Sequence, residues 1–521
     1  MKPVTSASPA PRRITIVGGG FSGVSAAVQL VRHSPVPLAI TLIESRDRVG
    51  PGLAYATHDP DHRLNGPTWV HAVDPVDGEH FTRWCEARGV FSADPQAVQA
   101  NGTAFVRRAV LGAYLEDMVH RHASWPATGS TIRTLQDRAV HAWQADGEVT
   151  TTTERGQTLP ADLLLLATGN AEPRLQAPLN PALAQHPGVI ENPLITARLL
   201  GIARDARVLI IGSGLTSLDV VSTLQRQGHT GGVTVVSRRG LRPRPQPLAS
   251  GPVVHPQGRQ NLDRLLGPAP AFLTQVKPEL RTWIKAVRAR IRESVANGEG
   301  WNVPFDELRD AVWQLWPTLP AAQQRRFLRS VRTWYDVHRF RSPPQTEAIN
   351  REALAAGRVV HLAARLRSLA AQAHTHRIDA VLQPTGSSAL RTEAFDVVVN
   401  CTGLDAAART AGNPLLKALV EHGTLRPDAC GIGYAVDPHC RVINALGDAL
   451  PRIRLIGPPT LGTFGDPGGA MFIAAQIHRM LPDVFDLLGR LGSTAVEADR
   501  AASLSAAQVL SFKSLFMAGQ A

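Results

Sequence analysis

The chain has 521 residues, of which 44% are hydrophobic and 19% are charged, a composition that argues against low-complexity disorder. Its length predicts two or more folded domains. The formal net charge of +12 comes mostly from dispersed arginines without a basic block or a basic-aromatic stripe, which disfavours nucleic-acid binding.

The N-terminal residues 1–13 are rich in proline, serine and alanine, and they lack the apolar core of a signal peptide. The longest apolar runs have the length of strands, for example residues 163–167. A membrane-spanning helix needs about 20 apolar residues. We therefore expect a cytoplasmic protein without a membrane segment.

The first predicted element is a buried strand at residues 14–17, which leads into a glycine-rich loop and a helix. A second predicted strand, residues 40–43, ends in Glu44. Strand, G-x-G-x-x-G loop, helix, strand and acid, in this order and within about 30 residues, are typical of a dinucleotide-binding βαβ unit. Cofactor contacts are therefore predicted for Gly18, Gly19, Gly20, Phe21, Ser22 and Gly23.

Each glycine of this loop has a separate task in such a unit. Gly18 permits the tight turn, Gly20 lets the backbone approach a pyrophosphate, and Gly23 lets the helix pack close to the strand. The helix N-terminus presents free N–H groups to the phosphates. Glu44, followed by Ser45, is placed to accept hydrogen bonds from ribose hydroxyls. The alternative is a βαβ unit without a ligand.

The same pattern recurs 194 residues later, with a predicted strand at residues 207–211, a glycine loop and a helix. Ser217, which is still small, stands where the third glycine would be, and the next strand covers residues 233–236. Cofactor contacts are predicted for Gly212, Gly214, Leu215, Thr216, Ser237, Arg238 and Arg239.

The end of the second strand differs between the two units. The residue 26 positions after the first glycine is Glu44 in the first unit and Arg238 in the second. A carboxylate suits free ribose hydroxyls and repels a 2′-phosphate, whereas a serine and two arginines suit a 2′-phosphate. We therefore predict an FAD site followed by an NADP(H) site. Alternatively, Arg238 and Arg239 are a solvated surface pair.

Two further predicted strands end in Thr-Gly turns, and a third ends at a glycine. Such turns let the chain pass close to a dinucleotide at the carboxyl edge of a sheet. An apolar helical run at residues 470–481 follows the third strand, either beside the flavin or as an ordinary last helix. Cofactor contacts are predicted for Thr168, Gly169, Thr402, Gly403 and Gly457.

This order of motifs predicts an α/β fold with two Rossmann-like dinucleotide-binding domains, in which the NADP domain is inserted in the FAD domain. We assign residues 12–175 to the first part of the FAD-binding domain and 205–390 to the NAD(P)-binding domain. Residues 391–500 return to the FAD-binding domain.

A largely helical insertion is predicted at about residues 256–352. Residues 280, 284, 287, 291 and 295 are apolar at helical spacing, and Asn297-Gly298 is typical of a helix stop. This helix is most simply a core-packing element with a solvated basic face. Alternatively, it caps a substrate cavity.

Several stretches resemble the YdhS-like FAD/NAD(P)-binding proteins, a bacterial group of flavoprotein oxidoreductases. They are residues 50–57 (GPGLAYAT), 62–65 (HRLN), 214–216 with Asp219, 237–241 (SRRGL) and 334–339 (WYDVHR). More distantly, the architecture is similar to flavin-dependent N-hydroxylating monooxygenases, whose D-x-x-x-L-A-T-G pattern fits residues 162–170. The resemblance implies a two-dinucleotide fold and chemistry with FAD and NAD(P)H, and it implies no particular substrate.

Two kinds of chemistry are disfavoured. The four cysteines (Cys85, Cys401, Cys430 and Cys440) contain no C-x-x-C or similar pair, which argues against a disulfide reductase. His58 and His62 are four residues apart without a metal-binding motif around them, so we predict no metal.

The remaining role for two dinucleotide sites is hydride transfer from NADPH to FAD. Our leading hypothesis is a flavin monooxygenase that hydroxylates a small molecule. The alternatives are an NAD(P)H dehydrogenase or reductase without oxygen insertion, and a non-enzymatic redox sensor or partner-binding module. The sequence assigns no catalytic residue. The substrate-side candidates are Tyr55, Asn65 and Trp69, on the loop at residues 52–71. Alternatively, this loop has only a structural role.

Overall fold

The computed structural model describes residues 10–175, 181–247, 262–263, 265–403, 412–466 and 468–491. This part of the chain forms two seven-stranded sheets and one three-stranded antiparallel sheet, with helices packed around them. The predicted α/β class with two largely parallel sheets is confirmed. Within these residues, no helix combines the length and the apolar character that crossing a bilayer requires.

In chain order, the strands are β1 (Arg12–Val17), β2 (Leu38–Glu44), β3 (Ser124–Trp125), β4 (Ser130–Gln136), β5 (Ala139–Ala145), β6 (Glu148–Thr153), β7 (Thr158–Ala161), β8 (Leu163–Leu166), β9 (Val189–Ile190), β10 (Val208–Ile211), β11 (Val233–Ser237), β12 (Val359–Ala371), β13 (Ile378–Pro384), β14 (Arg391–Phe395), β15 (Val397–Asn400), β16 (Arg441–Ile443) and β17 (Ala449–Leu455).

In chain order, the helices are α1 (Phe21–His33), α2 (His80–Ala87), α3 (Val90–Ala93), α4 (Arg108–Arg121), α5 (Thr196–Leu200), α6 (Leu215–Arg226), α7 (Ala271–Thr274), α8 (Leu280–Ala296), α9 (Val303–Asp310), α10 (Val312–Leu315), α11 (Ala321–Ser330), α12 (Arg332–Arg339), α13 (Pro344–Ala355), α14 (Pro414–Glu421), α15 (Leu461–Phe464) and α16 (470–491).

The first sheet has the order β16-β17-β8-β1-β2-β4-β3. Its five inner strands are parallel, and β16 and β3 pair antiparallel at the edges. All four leucines of β8 are fully buried, as expected for a strand that is covered on both faces. The sheet therefore combines strands from both ends of the chain.

The second sheet has the order β14-β13-β12-β11-β10-β15-β9. The strands from β12 to β9 are parallel, and β13 and β14 extend the sheet as an antiparallel meander. Every strand of this sheet lies between residues 189 and 400. The second unit is therefore inserted between β8 and β17 of the first.

Helices α7 to α12 form a separate layer with its own apolar core around Leu273, Trp283, Leu315 and Trp316. The helix predicted from the apolar spacing is α8 (Leu280–Ala296), which ends at Asn297, and Gly298 follows with a φ of +75°. Both the helix and its stop are therefore confirmed.

Candidate cofactor sites

The first glycine loop joins β1 to α1, and two of its glycines are required by the backbone itself. Gly18 has a φ of +106°, and a Cβ there would lie 2.4 Å from the carbonyl oxygen of Ala167. A Cβ on Gly23 would lie 1.9 Å from the carbonyl oxygen of Gly18. The loop is therefore pressed against the turn after β8 and against the first turn of α1, which begins at Phe21.

The same loop is open at Gly20. A Cβ on Gly20 would approach only the Cα of Gly52, at 3.6 Å. The N–H of Gly50 donates to the carbonyl oxygen of Gly19 at 2.7 Å and so fixes the facing loop. Gly20 thus leaves bare backbone at the start of α1, where the helix N-terminus favours an anion.

Glu44 is buried at the end of β2, and its carboxylate is held by two backbone groups. The N–H of Gly19 donates to one oxygen at 2.8 Å, and the N–H of Arg46 donates to the other at 3.0 Å. The Ser45 hydroxyl lies 3.3 Å from that second oxygen. The oxygen that accepts from Gly19 can take a further hydrogen bond, as the ribose role predicted for Glu44 requires, whereas the other oxygen also lies 3.5 Å from the Arg46 guanidinium.

A cavity of about 330 Å³ lies at the carboxyl edge of the first sheet. The Thr168 hydroxyl oxygen is buried at this cavity and has no hydrogen-bond partner among the described residues. A polar ligand would supply that partner, so the cavity fits the adenosine end of FAD. The predicted residues that line it are Gly18, Glu44, Ser45, Thr168 and Gly169.

Other residues of this cavity were not predicted from the sequence. Arg46 and Arg138 follow the ends of β2 and β4, and Asn413 begins helix α14 from a distant part of the chain. The position of the two arginines just after strands was the available signal. Nothing in the local sequence indicates that Asn413 lies there.

The structure does not bring the three substrate-side candidates together. Tyr55 is half-buried against the core of the first unit. The carbonyl oxygen of Asn65 accepts a hydrogen bond from the Gln246 side chain of the second unit at 2.6 Å. Trp69 lines a small cavity together with Met471 of α16. Their predicted contact with a substrate stays a prediction.

Gly457, just after β17, closes the first unit from the other end of the chain. Its φ is +76°, and its N–H donates to the Gln476 side chain of α16 at 2.8 Å. A Cβ there would lie 2.7 Å from the hydroxyl oxygen of Ser22. The returning segment therefore packs directly on the first glycine loop, and both predicted residues, Ser22 and Gly457, lie at this contact.

The second glycine loop repeats this construction. Gly212 has a φ of +102°, and a Cβ there would lie 2.2 Å from the carbonyl oxygen of Cys401 and 3.1 Å from the N of Thr402. A Cβ on Gly214 would meet no described atom within 4 Å. The Ser217 hydroxyl, at the third glycine position, donates to the carbonyl oxygen of Gly214 at 2.7 Å.

The Thr-Gly turns serve both units in the same way. Thr168-Gly169 follows the strand next to β1, and Thr402-Gly403 follows the strand next to β10. Gly169 and Gly403 both have positive φ values, of +69° and +96°. The helix of the second unit, α6, begins at Leu215 and carries Thr216 in its first turn.

Arg238 and Arg239 are exposed after β11, and Ser237 is half-buried. The Arg239 guanidinium lies 5.8 Å from the centre of the Trp334 ring and donates to the Ser330 carbonyl oxygen at 3.3 Å. The Arg238 side chain makes no ion pair with the described residues. Arg238 therefore has fewer side-chain contacts among the described residues than Arg239, and binding of a 2′-phosphate by either arginine stays a prediction.

A buried polar contact between the two units was not predicted. The Thr223 hydroxyl on α6 donates to an Asp59 carboxylate oxygen at 2.7 Å, so its oxygen is left to accept from Nε2 of His62, 3.1 Å away. Nδ1 of His62 then accepts from the Thr57 hydroxyl, 3.1 Å away. This arrangement fits a neutral imidazole, and burial lowers the pKa of His62.

Ion pairs surround this histidine. Arg108 on α4 lies 2.7 Å from an Asp219 carboxylate oxygen on α6. Arg226 bridges Asp59 and Asp61, at 2.7 Å to each. Although burial opposes ionisation of Asp59, hydrogen bonds from the Asp61 N–H, Thr223 and Arg226 hold its pKa below the usual range. The contact therefore fixes α6, which carries the second glycine loop, against the first unit.

This contact predicts a pH-dependent stability. Below the ordinary histidine pKa of about 6.5, the unfolded chain binds a proton that folded His62 resists, so stability falls as pH falls through that range. We expect His62→Gln to show a smaller fall in melting temperature between pH 8 and pH 5.5. The matched control is His58→Gln, which changes an exposed histidine of the same loop. Parallel curves for the wild type and His62→Gln would contradict the assignment.

The cysteines are not arranged for dithiol chemistry. All four are free, and burial raises the pKa of each thiol, to about 12 for Cys85 and Cys440. Protonated thiols are poor nucleophiles at neutral pH. The four thiols therefore provide no activated cysteine.

One group of three possible metal ligands occurs among the described residues: His33, Asp74 and His478, whose ligand atoms lie within 4.8 Å of one another. A carboxylate oxygen of Asp74 lies within hydrogen-bond distance of Nε2 of His33, at 2.9 Å. The Arg32 guanidinium lies 3.5 Å from the same oxygen. This positive charge opposes a bound cation. The absence of a metal stays a prediction.

Residues 15–171 match a protein-family model described as FAD-NAD(P)-binding. The match confirms the prediction of such a unit in the first part of the chain. A phytoene desaturase (lycopene-forming) from Paracoccus sp. strain N81106 is 37% identical over 70 residues. These residues are 13% of this chain, and the chain spans 13% of the length of that enzyme.

Solved structures of flavin-dependent hydroxylases share the fold over most of the chain. The ornithine N-hydroxylase KtzI of Kutzneria sp. 744 aligns with a TM-score of 0.61 at 16% identity, over 92% of this chain and 100% of that one. The ornithine hydroxylase PvdA of Pseudomonas aeruginosa gives 0.58 at 14% identity, over 92% and 100%. The cadaverine monooxygenase DfoA of Erwinia amylovora gives 0.55 at 13% identity, over 91% and 94%. The predicted fold is thus also that of known two-dinucleotide flavoproteins.

Proposed function

We propose that the protein is an FAD- and NADPH-dependent oxidoreductase of the flavin monooxygenase type that hydroxylates a small molecule. The observation that carries this proposal is the pair of similar glycine loops. In each unit the strand that follows the loop and its helix leads to a charged residue, and the two charges are opposite. Glu44 is buried at the first strand end, and Arg238 is exposed at the second. Two dinucleotides with different ribose chemistry fit such a pair.

If bound, FAD and NADPH would supply hydride transfer to the flavin and electrons for a reaction with oxygen. The chain positions the cofactors. Glu44 would accept from the FAD ribose hydroxyls, and Gly20 and the start of α1 would hold the pyrophosphate. Arg238 would bind the 2′-phosphate of NADP, and the contact around His62 would hold the two glycine loops at a fixed separation.

Three finer assignments belong to this proposal. The FAD domain comprises residues 12–175 and 391–500, and the NAD(P) domain comprises residues 205–390. The location is cytoplasmic. Within the flavoproteins, the resemblance of residues 237–241 and 334–339 supports a place in the YdhS-like group.

The proposal predicts three results for the purified protein. It should carry a yellow flavin spectrum, NADPH should bleach that spectrum without oxygen, and oxygen uptake should rise with a substrate. Gly214→Ala is the matched variant, because its new methyl group meets no described atom and would occupy the approach of the NADP pyrophosphate. We expect this variant to keep its flavin and to lose rapid bleaching.

Three other outcomes separate the proposal from its alternatives. A colourless protein whose added FAD is neither bound nor bleached would refute the oxidoreductase assignment. Bleaching without substrate-dependent oxygen uptake, across amines, acids and neutral aromatic compounds, would favour a reductase. Flavin binding without any reaction with NADPH would favour a redox sensor.

A further inference from the structure

The helical layer encloses a cavity of about 790 Å³. This volume lies within the range of roughly 300–1,000 Å³ that small-molecule sites occupy. The predicted apolar stripe of α8 lines it through Ile284, Val287 and Ile291. The aromatic residues on its wall include Trp283, Trp301, Phe305, Trp316, Phe327 and Trp334.

This cavity touches both cofactor units. On the NADP side, Trp334 lines the cavity and packs against Arg239, which follows β11. On the FAD side, Gly465 lines the cavity, and a Cβ on it would lie 2.8 Å from the Trp316 side chain. The Trp316 indole N–H also donates to the carbonyl oxygen of Gly462 at 2.7 Å.

The segment that carries Gly465 begins at the first glycine loop. Gly457 packs against Ser22 of that loop, and eight residues later Gly465 forms part of the cavity wall. The cavity is therefore connected to the first glycine loop by a short, partly buried piece of chain.

The charges on the wall are of one sign. Arg244 and Arg288 line the cavity, and no aspartate or glutamate among the described residues does. Both guanidinium groups are exposed and form no ion pair with the described residues. His338 also lines the wall, and burial lowers its pKa, which favours the neutral imidazole. An alkylammonium group would find no carboxylate there and would be repelled by the arginines.

Two hydrogen-bond donors on the wall have no partner. The Trp283 indole N–H and the Tyr335 hydroxyl are buried, and neither has a hydrogen-bond partner among the described residues. Trp283 is 8% exposed. A ligand oxygen that approached either group would satisfy a donor that is costly to bury alone.

We propose that this cavity binds the substrate, and that the substrate is a large aromatic or otherwise apolar molecule that is neutral or carries a carboxylate. This assignment rests on the proposed monooxygenase function, because the bound molecule is a substrate only if the protein has that activity. It separates this protein by chemistry from hydroxylases whose substrates are small cationic amines. The aromatic wall binds the apolar body, and Arg244 and Arg288 favour an acidic end.

The test uses the full-length protein and four probes. Biphenyl-4-carboxylate, biphenyl-4-methanol and biphenyl-4-methylamine share one apolar body and differ in charge, and L-ornithine lacks that body. Binding is followed by quenching of tryptophan fluorescence, because four tryptophans line the cavity. We expect the carboxylate and the alcohol to bind and the amine to bind at least about tenfold more weakly. L-ornithine should give no quenching.

Three variants locate the binding. Val287→Glu places a carboxylate on the wall and should weaken the biphenyl acid by about tenfold or more. Lys285→Glu, an exposed residue of the same helix away from the cavity, is the matched control and should bind as the wild type does. Arg244→Ala should weaken the acid and leave the alcohol unchanged, which keeps the test decisive if Val287→Glu misfolds.

The two proposals fail in different ways. Tighter binding of the amine than of the acid, or equal binding by Val287→Glu and the wild type, would overturn the cavity assignment whatever the flavin does. A protein that binds the biphenyl acid but is not bleached by NADPH would keep the ligand class and lose the monooxygenase function. Oxygen uptake that rises with ornithine and not with the biphenyl compounds would keep the function and lose the ligand class.

Discussion

Gly23→Ala is expected to give a protein that retains little FAD and melts well below the wild type. The new methyl group would lie 1.9 Å from the carbonyl oxygen of Gly18, so either the helix or the loop has to move. Overpacking of this kind costs about 1–3 kcal/mol, and here the atom that must yield belongs to the backbone. Flavin absorbance per protein and the melting temperature measure the effect.

Gly489→Ala is the matched control for this substitution. It makes the same change in helix α16 of the FAD-side unit, where a Cβ meets no described atom within 4 Å. It should keep both flavin and melting temperature. If Gly23→Ala behaved like Gly489→Ala, the close packing of loop and helix would not be needed for the cofactor.

Arg238→Ala is expected to raise the KM for NADPH by about 10- to 100-fold and to leave the KM for NADH nearly unchanged. The reason is the loss of a charge-assisted hydrogen bond to a 2′-phosphate that NADH lacks. Steady-state rates of flavin reduction with each nucleotide provide the measurement.

Arg204→Ala provides the comparison for the loss of positive charge, because Arg204 is exposed before β10, at the opposite end of that strand. It should change neither constant. If Arg238→Ala raised the KM for NADPH and for NADH equally, the 2′-phosphate assignment would be wrong. Arg238 would then be a solvated surface residue.

The local parts of this fold could be predicted from sequence because their causes are local. A glycine between a buried strand and a helix, such as Gly18, is needed for the turn itself. The spacing of apolar residues from Leu280 to Val295 is a property of one helix. The strand ends at Glu44 and Arg238 follow from counting along two similar units.

Contacts between distant parts of the chain could not be predicted in this way. Asp59 and Thr223 are far apart in sequence, and nothing near either residue indicates the other. The sequence also left open whether α8 packs in a core or caps a cavity. Ile284 and Val287 line the large cavity, because the neighbouring helices enclose space next to α8 and do not fill it.

The strand order of the first sheet has a consequence for how the chain acquires its shape during synthesis. Leu163–Leu166 pairs with Arg12–Val17 on one side and with Ala449–Leu455 on the other. The second sheet needs nothing beyond residue 400. During synthesis, all strands of the inserted unit are therefore made before β17 is. Until β17 is made, one edge of β8 stays unpaired. The first glycine loop, although it comes early in the sequence, gains its contact with Gly457 only after the inserted unit has been synthesised.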